Sequence, residues 1–334
     1  MNETVTLAHG AGGEQTSQLI DTVFKKYFAS PLLTADDAAC LPPVGGRLAM
    51  STDGFIVSPP FFPGGNIGKL SVCGTVNDLS CMGAKPLYLT CACVIEEGFA
   101  LRDLEQIASS MAETAAGAGV QIVAGDTKVA AKGQVDGIFI TTTGIGEVKP
   151  HVTLGGALAQ PGDAVIVTGD IGRHGCCILL ERDDFGIEAD VESDCAPLWD
   201  AASAALEAAP GMHVIRDATR GGVGTVLYEI AAQSGVGMEI VREKVPVRPA
   251  VSGVCSLLGL DPMYLACEGR MVMIVPQKDA QAVLQAVRKT PHGAHAEQIG
   301  VVTADCPGRV IMETQIGTRT ILPKPAGELL PRIC

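Results

Sequence analysis

Two hydrophobic periodicities divide the chain. Alternating apolar and polar positions, or short apolar runs, mark strands over 47–57, 87–95, 121–124, 137–148, 163–168, 238–241, 271–275 and 310–322. Apolar residues three and four apart mark helices over 17–28, 67–82, 101–118, 196–208, 225–233 and 280–288. Strands of the first half follow one another across short loops instead of alternating strictly with helices, so the pattern predicts α+β layers. Gly155-Gly156 and Pro161-Gly162 interrupt it between two strand runs. The expected organisation is a first α+β domain over 1–155, a second over 156–320 and a tail over 321–334.

Composition narrows the classes of function. At 334 residues the chain is longer than one core usually supports, in keeping with two domains. Hydrophobic residues make up 47%, and the mean hydropathy is +0.30. Every apolar run is nevertheless broken before the ~18 residues of a membrane span, so no membrane association is expected. The start, Met1-Asn2-Glu3-Thr4, lacks the basic and then apolar layout of an export signal, which leads us to expect a cytoplasmic protein. A net charge of −13 without a basic stretch argues against nucleic acid, which is bound by clustered Lys and Arg. Twelve cysteines without a CxxC pair suggest neither a disulfide framework nor structural zinc. Cys91 and Cys93 share one face of a strand and Cys176-Cys177 is vicinal; most of the twelve read as small buried hydrophobes.

Residues able to do chemistry gather in short segments. Four of these place carboxylates at strand ends or in adjoining loops: Asp36-Asp37, Thr52-Asp53-Gly54, Asn77-Asp78 and Gly125-Asp126-Thr127-Lys128. Mg²⁺ takes oxygen ligands in near-octahedral geometry and keeps phosphates and water in its shell, so carboxylates from several loops suit a Mg-nucleotide. One Asp-Gly alone is ordinary turn chemistry, and only the set points to a metal. Two glycine-rich segments run into helices, where N–H groups and the helix dipole favour an anion. They are His9-Gly10-Ala11-Gly12-Gly13 and Asp217-Ala218-Thr219-Arg220-Gly221-Gly222, and neither contains a Walker loop. Arg220 either contacts phosphate or pairs with Asp217. His292 and His295 form an HxxH, but within Pro-His-Gly-Ala-His, a loop composition.

The chain ends in Pro331-Arg332-Ile333-Cys334, and Pro323, Pro325 and Pro331 restrict the backbone leading there. The eight residues from Gly327 span up to roughly 26 Å when extended. A thiol so placed can enter a pocket of its own chain or reach a partner.

Thr52-Asp53, Asn77-Asp78 with Gly83-Ala84-Lys85-Pro86, Gly125-Asp126-Thr127-Lys128-Val129 and the segment from Asp217 to Gly222 resemble the superfamily of aminoimidazole ribonucleotide synthetase, selenophosphate synthetase and thiamine monophosphate kinase. Within it, the opening glycines, Phe61-Phe62-Pro63-Gly64-Gly65-Asn66-Ile67-Gly68-Lys69 and the final Pro331-Arg332-Ile333-Cys334 are similar to the hydrogenase-maturation family of HypE-like proteins. The resemblance implies two α+β domains, the first forming a shared β-barrel with a second subunit. It also implies an ATP-dependent dehydratase: a maturation carbamoyltransferase loads a carbamoyl group on Cys334, Mg-ATP dehydrates it to a thiocyanate, and the cyanide passes to an iron assembly complex for nickel–iron hydrogenase. Carried over by position, Asp36 or Asp37, Asp53, Asp78 and Asp126 hold Mg²⁺, with Gly10, Gly12, Gly13, Asn77, Thr127, Arg220, Gly221 and Gly222 around the nucleotide. Lys128 and Glu268 serve the carbamoyl group. Family members usually carry Asn before this Glu and Lys after the following Gly, where this chain has Cys267 and Arg270.

Two other functions fit part of the sequence. A kinase or synthetase for a free small molecule is indifferent to Cys334. A scaffold that passes a thiol-bound group between partners requires neither Glu268 nor Lys128.

Overall fold

The computed structural model describes residues 4–11, 13–34, 36, 38–182, 185–314 and 316–324. Gly12, Asp37 and the tail from 325 through Cys334 lie outside the described residues.

Two sheets organise the chain. The first half supplies Leu48–Phe55 (β1), the two-residue ladder Phe61–Phe62 (β2) with Gly65–Asn66 (β3), Ala84–Glu96 (β4), Gln121–Ala130 (β5) and Ile138–Val148 (β6). Four of these form a sheet ordered β1-β6-β4-β5, antiparallel except for the β4–β5 pair. Before it come Glu14–Leu19 (α1), a π-helical stretch Ile20–Lys25 and Lys26–Phe28 (α2). Ile67–Cys81 (α3) and Leu101–Ala118 (α4) cover one face of the sheet. Asn66 caps α3, its side-chain oxygen accepting from the N–H groups of Gly68 and Lys69 at 2.9 and 3.1 Å. Nearly every residue of α3 is buried, as expected of a helix apolar or small all round. On the opposite face the β1 side is uncovered among the described residues, with Leu48 and Met50 54% and 72% exposed.

The second sheet comprises Asp163–Val167 (β7), Val214–Asp217 (β8), Gly237–Val241 (β9), Met271–Pro276 (β10), Glu297–Thr303 (β11), Val310–Glu313 (β12) and Arg319–Ile321 (β13). Its order is β13-β12-β9-β11-β7-β10-β8, with only β12–β9 parallel. Central β7, buried at every position, is a continuous apolar run after Asp163. The helices of this half are Arg173–Glu181 (α5), Trp199–Ala208 (α6), Gly222–Ser234 (α7), Pro249–Leu258 (α8) and Ala280–Val287 (α9).

Local differences from the sequence expectation have physical causes. The strand expected over 121–124 continues to Ala130, so Asp126 and Lys128 sit within a strand rather than in a loop. Asp53 lies inside β1 and Asp78 in the last turn of α3, within the strand expected over 47–57 and the helix expected over 67–82. Asp126 and Lys128, polar and on the exposed side of β5, read as its end in the sequence. The single strand expected over 310–322 is a hairpin, because Thr314–Thr318 hydrogen bonding turns the chain between β12 and β13.

Candidate active site

The carboxylates singled out from sequence fall into two groups. One lines a pocket of about 640 Å³, of nucleotide size, between β5 and the N-terminal helices; Gly10, Thr16, Asp36, Asp126, Thr127 and Lys128 form part of its wall. Gly10 is required by close approach, since a Cβ there would sit 2.6 Å from the Val129 nitrogen of β5. Asp126 Oδ1 accepts from Lys128 Nζ and from the Thr127 N–H, both at 2.9 Å. Asp126 and Lys128 are exposed, so this ion pair adds little stability, and Lys128 remains available to an incoming anion.

The second group lies on the other face of the sheet. Asp53 is in register with Thr142, whose hydroxyl bonds Thr75 of α3, whereas Asp126 is in register with Ala92 on the open side. Asp53 therefore faces α3, where it joins Asp78, Asp217 and Glu268. Asp78 accepts from Ser51 Oγ at 2.6 Å; burial raises its pKa, and neighbouring Asp53 adds to the rise. Burial, then Asp78, pushes Asp217 up to about 7. Glu268 is half-buried, and burial followed by Cys195, Asp217, Asp194 and Asp53 pushes its carboxyl well above the usual range. Arg216 and Arg220 oppose these charges at Asp78, and Arg216 does so at Asp217. Arg216 also holds Glu229 at 2.8 Å.

No group of three or more His, Cys, Asp or Glu side chains is arranged to hold a metal among the described residues. Mg²⁺ needs only one or two carboxylates when phosphates and water complete its shell, and the like-charged neighbours Asp53 and Asp78 fit that need. His292 and His295 lie exposed in the turn before β11.

Other residues have roles that the sequence did not reveal. Asn77, expected near the nucleotide, turns its amide to the second half instead. Nδ2 donates to the carbonyls of Ala196 and Glu268 at 3.0 and 3.3 Å, while Oδ1 accepts from Leu198 N–H at 2.8 Å. Gly222, expected at a phosphate, opens α7 at φ +62° and packs on the segment before Glu268; a Cβ would lie 2.6 Å from the Leu265 and Met263 carbonyl oxygens. Arg270 does not face substrate with a free charge. It is buried, donating to the Asp170 carboxylate and carbonyl at 2.8 Å, and Asp194 lies 3.9 Å from it. Asp170 also meets Arg173 and Arg248. Cys267 takes the Gly172 N–H on its sulfur at 3.1 Å, so it holds the loop before α5. Asp194 accepts from the Glu268 N–H at 3.1 Å and thereby fixes the backbone at Glu268; no motif surrounds it in the sequence.

The acidic group has a cost that is open to test. The folded chain keeps the Asp217 proton up to about pH 7, while an unfolded one releases it near 3.8, so folding stability falls as pH rises through that interval. Asp217→Asn should therefore raise the melting temperature more at about pH 8 than at about pH 4, by an amount equivalent to a few kcal/mol. Equal shifts at both pH values in a thermal melt would contradict the raised pKa.

Residues 35–148 match the N-terminal domain model of the AIR synthase related proteins, and 160–313 match the C-terminal one. The chain is 47% identical over 332 residues to a protein of Cupriavidus necator named carbamoyl dehydratase HypE, covering 99% of this chain and 95% of that one. The chain belongs to the HypE family of AIR synthase related proteins. A HypE protein of Escherichia coli is 44% identical, with 99% of each chain covered. A solved HypE in complex with ATP superposes with a TM-score of 0.94 at 46% identity, covering 99% of this chain and all of that one. HypE from a HypE–HypF complex gives 0.82 at 45% identity, covering 92% of this chain and 99% of that one. A thiamine-monophosphate kinase of Stenotrophomonas maltophilia, 20% identical with a TM-score of 0.65, shares the fold alone.

Proposed function

We propose that this chain is a carbamoyl dehydratase of hydrogenase maturation, using ATP to turn a carbamoyl group on Cys334 into a thiocyanate. One observation carries this beyond the family likeness: Glu268, a carboxyl of raised pKa open on one side, lies four residues beyond Tyr264, whose hydroxyl donates to the Pro323 carbonyl at the root of the tail. The root of the tail at Pro323 is thus tied to a residue four positions from Glu268 along the chain.

The chemistry suits these groups. An amide oxygen leaves poorly, and its phosphorylation by ATP makes the departing group phosphate. Nitrile formation then requires loss of an N–H proton as the C–O bond breaks. Glu268 takes that proton; a base held at raised pKa is stronger than an ordinary carboxylate. Asp53 and Asp78 would hold Mg²⁺, which would supply positive charge against a transferring phosphoryl group. Gly10, Asp36, Asp126, Thr127 and Lys128 line a separate pocket of nucleotide size on the opposite face of the sheet, so within one chain they do not share a phosphate with Asp53 and Asp78.

The ATP and HypF complexes of relatives support ATP as co-substrate and a carbamoyltransferase as the partner that loads Cys334. The recipient of cyanide is an iron assembly complex. A homodimer is supported by the sheet face at β1, where Leu48 and Met50, in register with Glu147 and Ile145, are exposed among the described residues. The shared barrel would cover it. Light scattering should give twice the mass of one chain, and Met50→Glu should shift it toward monomer. A concentration-independent mass of one chain for the parent would rule the dimer out.

The function is tested by incubating the chain with carbamoyl donor, carbamoyltransferase and ATP and reading its intact mass. A carbamoyl gain followed by loss of one water at Cys334 is expected. A carbamoyl group that persists undehydrated with ATP present would overturn the dehydratase.

A further inference from the structure

The segment that carries Glu268 is held at its ends by backbone and at its middle by a side chain. The Cys267 N–H donates to the Ala218 carbonyl and the Ala218 N–H to the Arg270 carbonyl, both at 3.0 Å, so 267–270 is tied at either end beside β8. Between those ties the Glu268 carbonyl accepts from Asn77 Nδ2 at 3.3 Å and from the Ala196 N–H at 3.4 Å. The Glu268 N–H goes to Asp194, whose Oδ1 takes it at 3.1 Å. A Cβ on Gly269 would collide with the Asp194 carbonyl oxygen, so the two segments run in contact.

Asp194 is itself closely held. Its neighbour Ser193 is anchored to both halves: the Ser193 N–H donates to the Pro63 carbonyl between β2 and β3 at 2.9 Å, and the Ser193 hydroxyl meets His174 Nδ1 of α5 at 2.8 Å. The same hydroxyl accepts from the Cys195 N–H at 3.1 Å, and Asn77 of α3 donates to the Ala196 carbonyl at 3.0 Å. The Asp194 side chain is 0% exposed. Its Oδ2 has no hydrogen-bond partner among the described residues, and Arg270 Nε, 3.9 Å away, donates instead to the Asp170 carbonyl. Burying a carboxylate with one oxygen idle is costly, whereas an apolar residue of the same outline would fill the space at no such cost. The bond to the Glu268 N–H is what the carboxyl gives in return.

We infer that Asp194 is a positioning residue for dehydration: by taking the Glu268 N–H, it fixes the backbone from which the Glu268 carboxyl reaches the substrate. This rests on the proposed function, in which Glu268 is the base. With no exposed surface, the Asp194 carboxyl does not itself meet substrate, and it acts only through Glu268. Without that acceptor the N–H turns toward another partner and the carboxyl moves with it. A displacement of about 1 Å at a reacting group can cost about 10²-fold in rate.

Asp194→Asn keeps an oxygen for the N–H, and Asp194→Ala removes it. Each variant and the parent are carbamoylated at Cys334 and followed by intact mass after addition of Mg-ATP, at a pH on the parent's plateau. Asp194→Ala should lose water about 10- to 100-fold more slowly with KM for ATP unchanged, while Asp194→Asn should stay within about threefold of the parent. In a Glu268→Gln background, Asp194→Ala should slow the reaction by less than about a further threefold, because a residue that acts through another adds little once that one is lost. Asp194→Leu, of nearly the same outline and without an acceptor, takes the place of Asp194→Ala if the latter does not fold. An Asp194→Ala rate within threefold of the parent overturns the inference. So does an Asn variant as slow as the Ala one, a raised KM for ATP that accounts for the loss, or the full loss repeated in Glu268→Gln. A parent that never loses water at Cys334 refutes the proposed function itself, and the positioning role with it.

Discussion

Glu268→Gln is expected to slow loss of water from the carbamoylated chain by about 10²–10⁴-fold while leaving carbamoylation intact. The amide keeps the size and one acceptor of the carboxylate but cannot take a proton. The backbone would be little disturbed, because the contacts of residue 268 with Asp194 and Asn77 run through its N–H and carbonyl. The parent's pH dependence supplies a second reading. Burial and acidic neighbours hold the Glu268 proton well above the 4.5 of an ordinary Glu, and only the deprotonated form acts as a base. The rate should accordingly fall as pH drops through that raised value, with an acid limb displaced upward from 4.5. Single-turnover rates against pH, read by intact mass, measure both. A variant within threefold of the parent, or one that keeps the same acid limb, would remove Glu268 from the role of base.

Cys334→Ala should abolish both the carbamoyl gain and the later loss of water, without changing ATP binding or melting temperature. Eleven other thiols could in principle accept the group. Burial works against those near the site: Cys267 is fully buried with its thiol pushed well above the usual range, and Cys91, 3.6 Å from Cys93, is likewise raised. A buried protonated thiol is a poor nucleophile. Peptide mapping decides the matter. Modification that survives in Cys334→Ala and maps to Cys267, Cys91 or Cys93 would displace Cys334 as carrier and favour a small-molecule reaction instead.

What the sequence disclosed of the fold depended on how much of each element's periodicity its residues preserve. α4 is long and two-faced enough to display its period, and β6 alternates over eleven residues. β8 has only four residues, and α5 begins Arg-His-Gly-Cys-Cys, so neither shows a period. α8 opens with proline and carries Gly253, which reads locally as a loop. The site was legible as a set of residue types and less so as a geometry. Strand register sends Asp53 and Asp126 to opposite faces, and that follows from pairing across β6, β4 and β5 rather than from either residue's neighbours. Asp194, Tyr228 and Tyr264 act through single hydrogen bonds to distant backbone, which leave no local signature.

The Asn77 amide bears on how substrate arrives. With Asn77 itself only 2% exposed, its three hydrogen bonds rivet α3 to the backbone at Ala196, Leu198 and Glu268. Prising the halves apart would strand several buried polar groups, at about 1–3 kcal/mol each. A clamshell motion is therefore a poor route to Glu268, and threading a slender peptide past fixed walls is a better one. Whatever reaches Glu268 must therefore pass through an opening that exists without parting the halves.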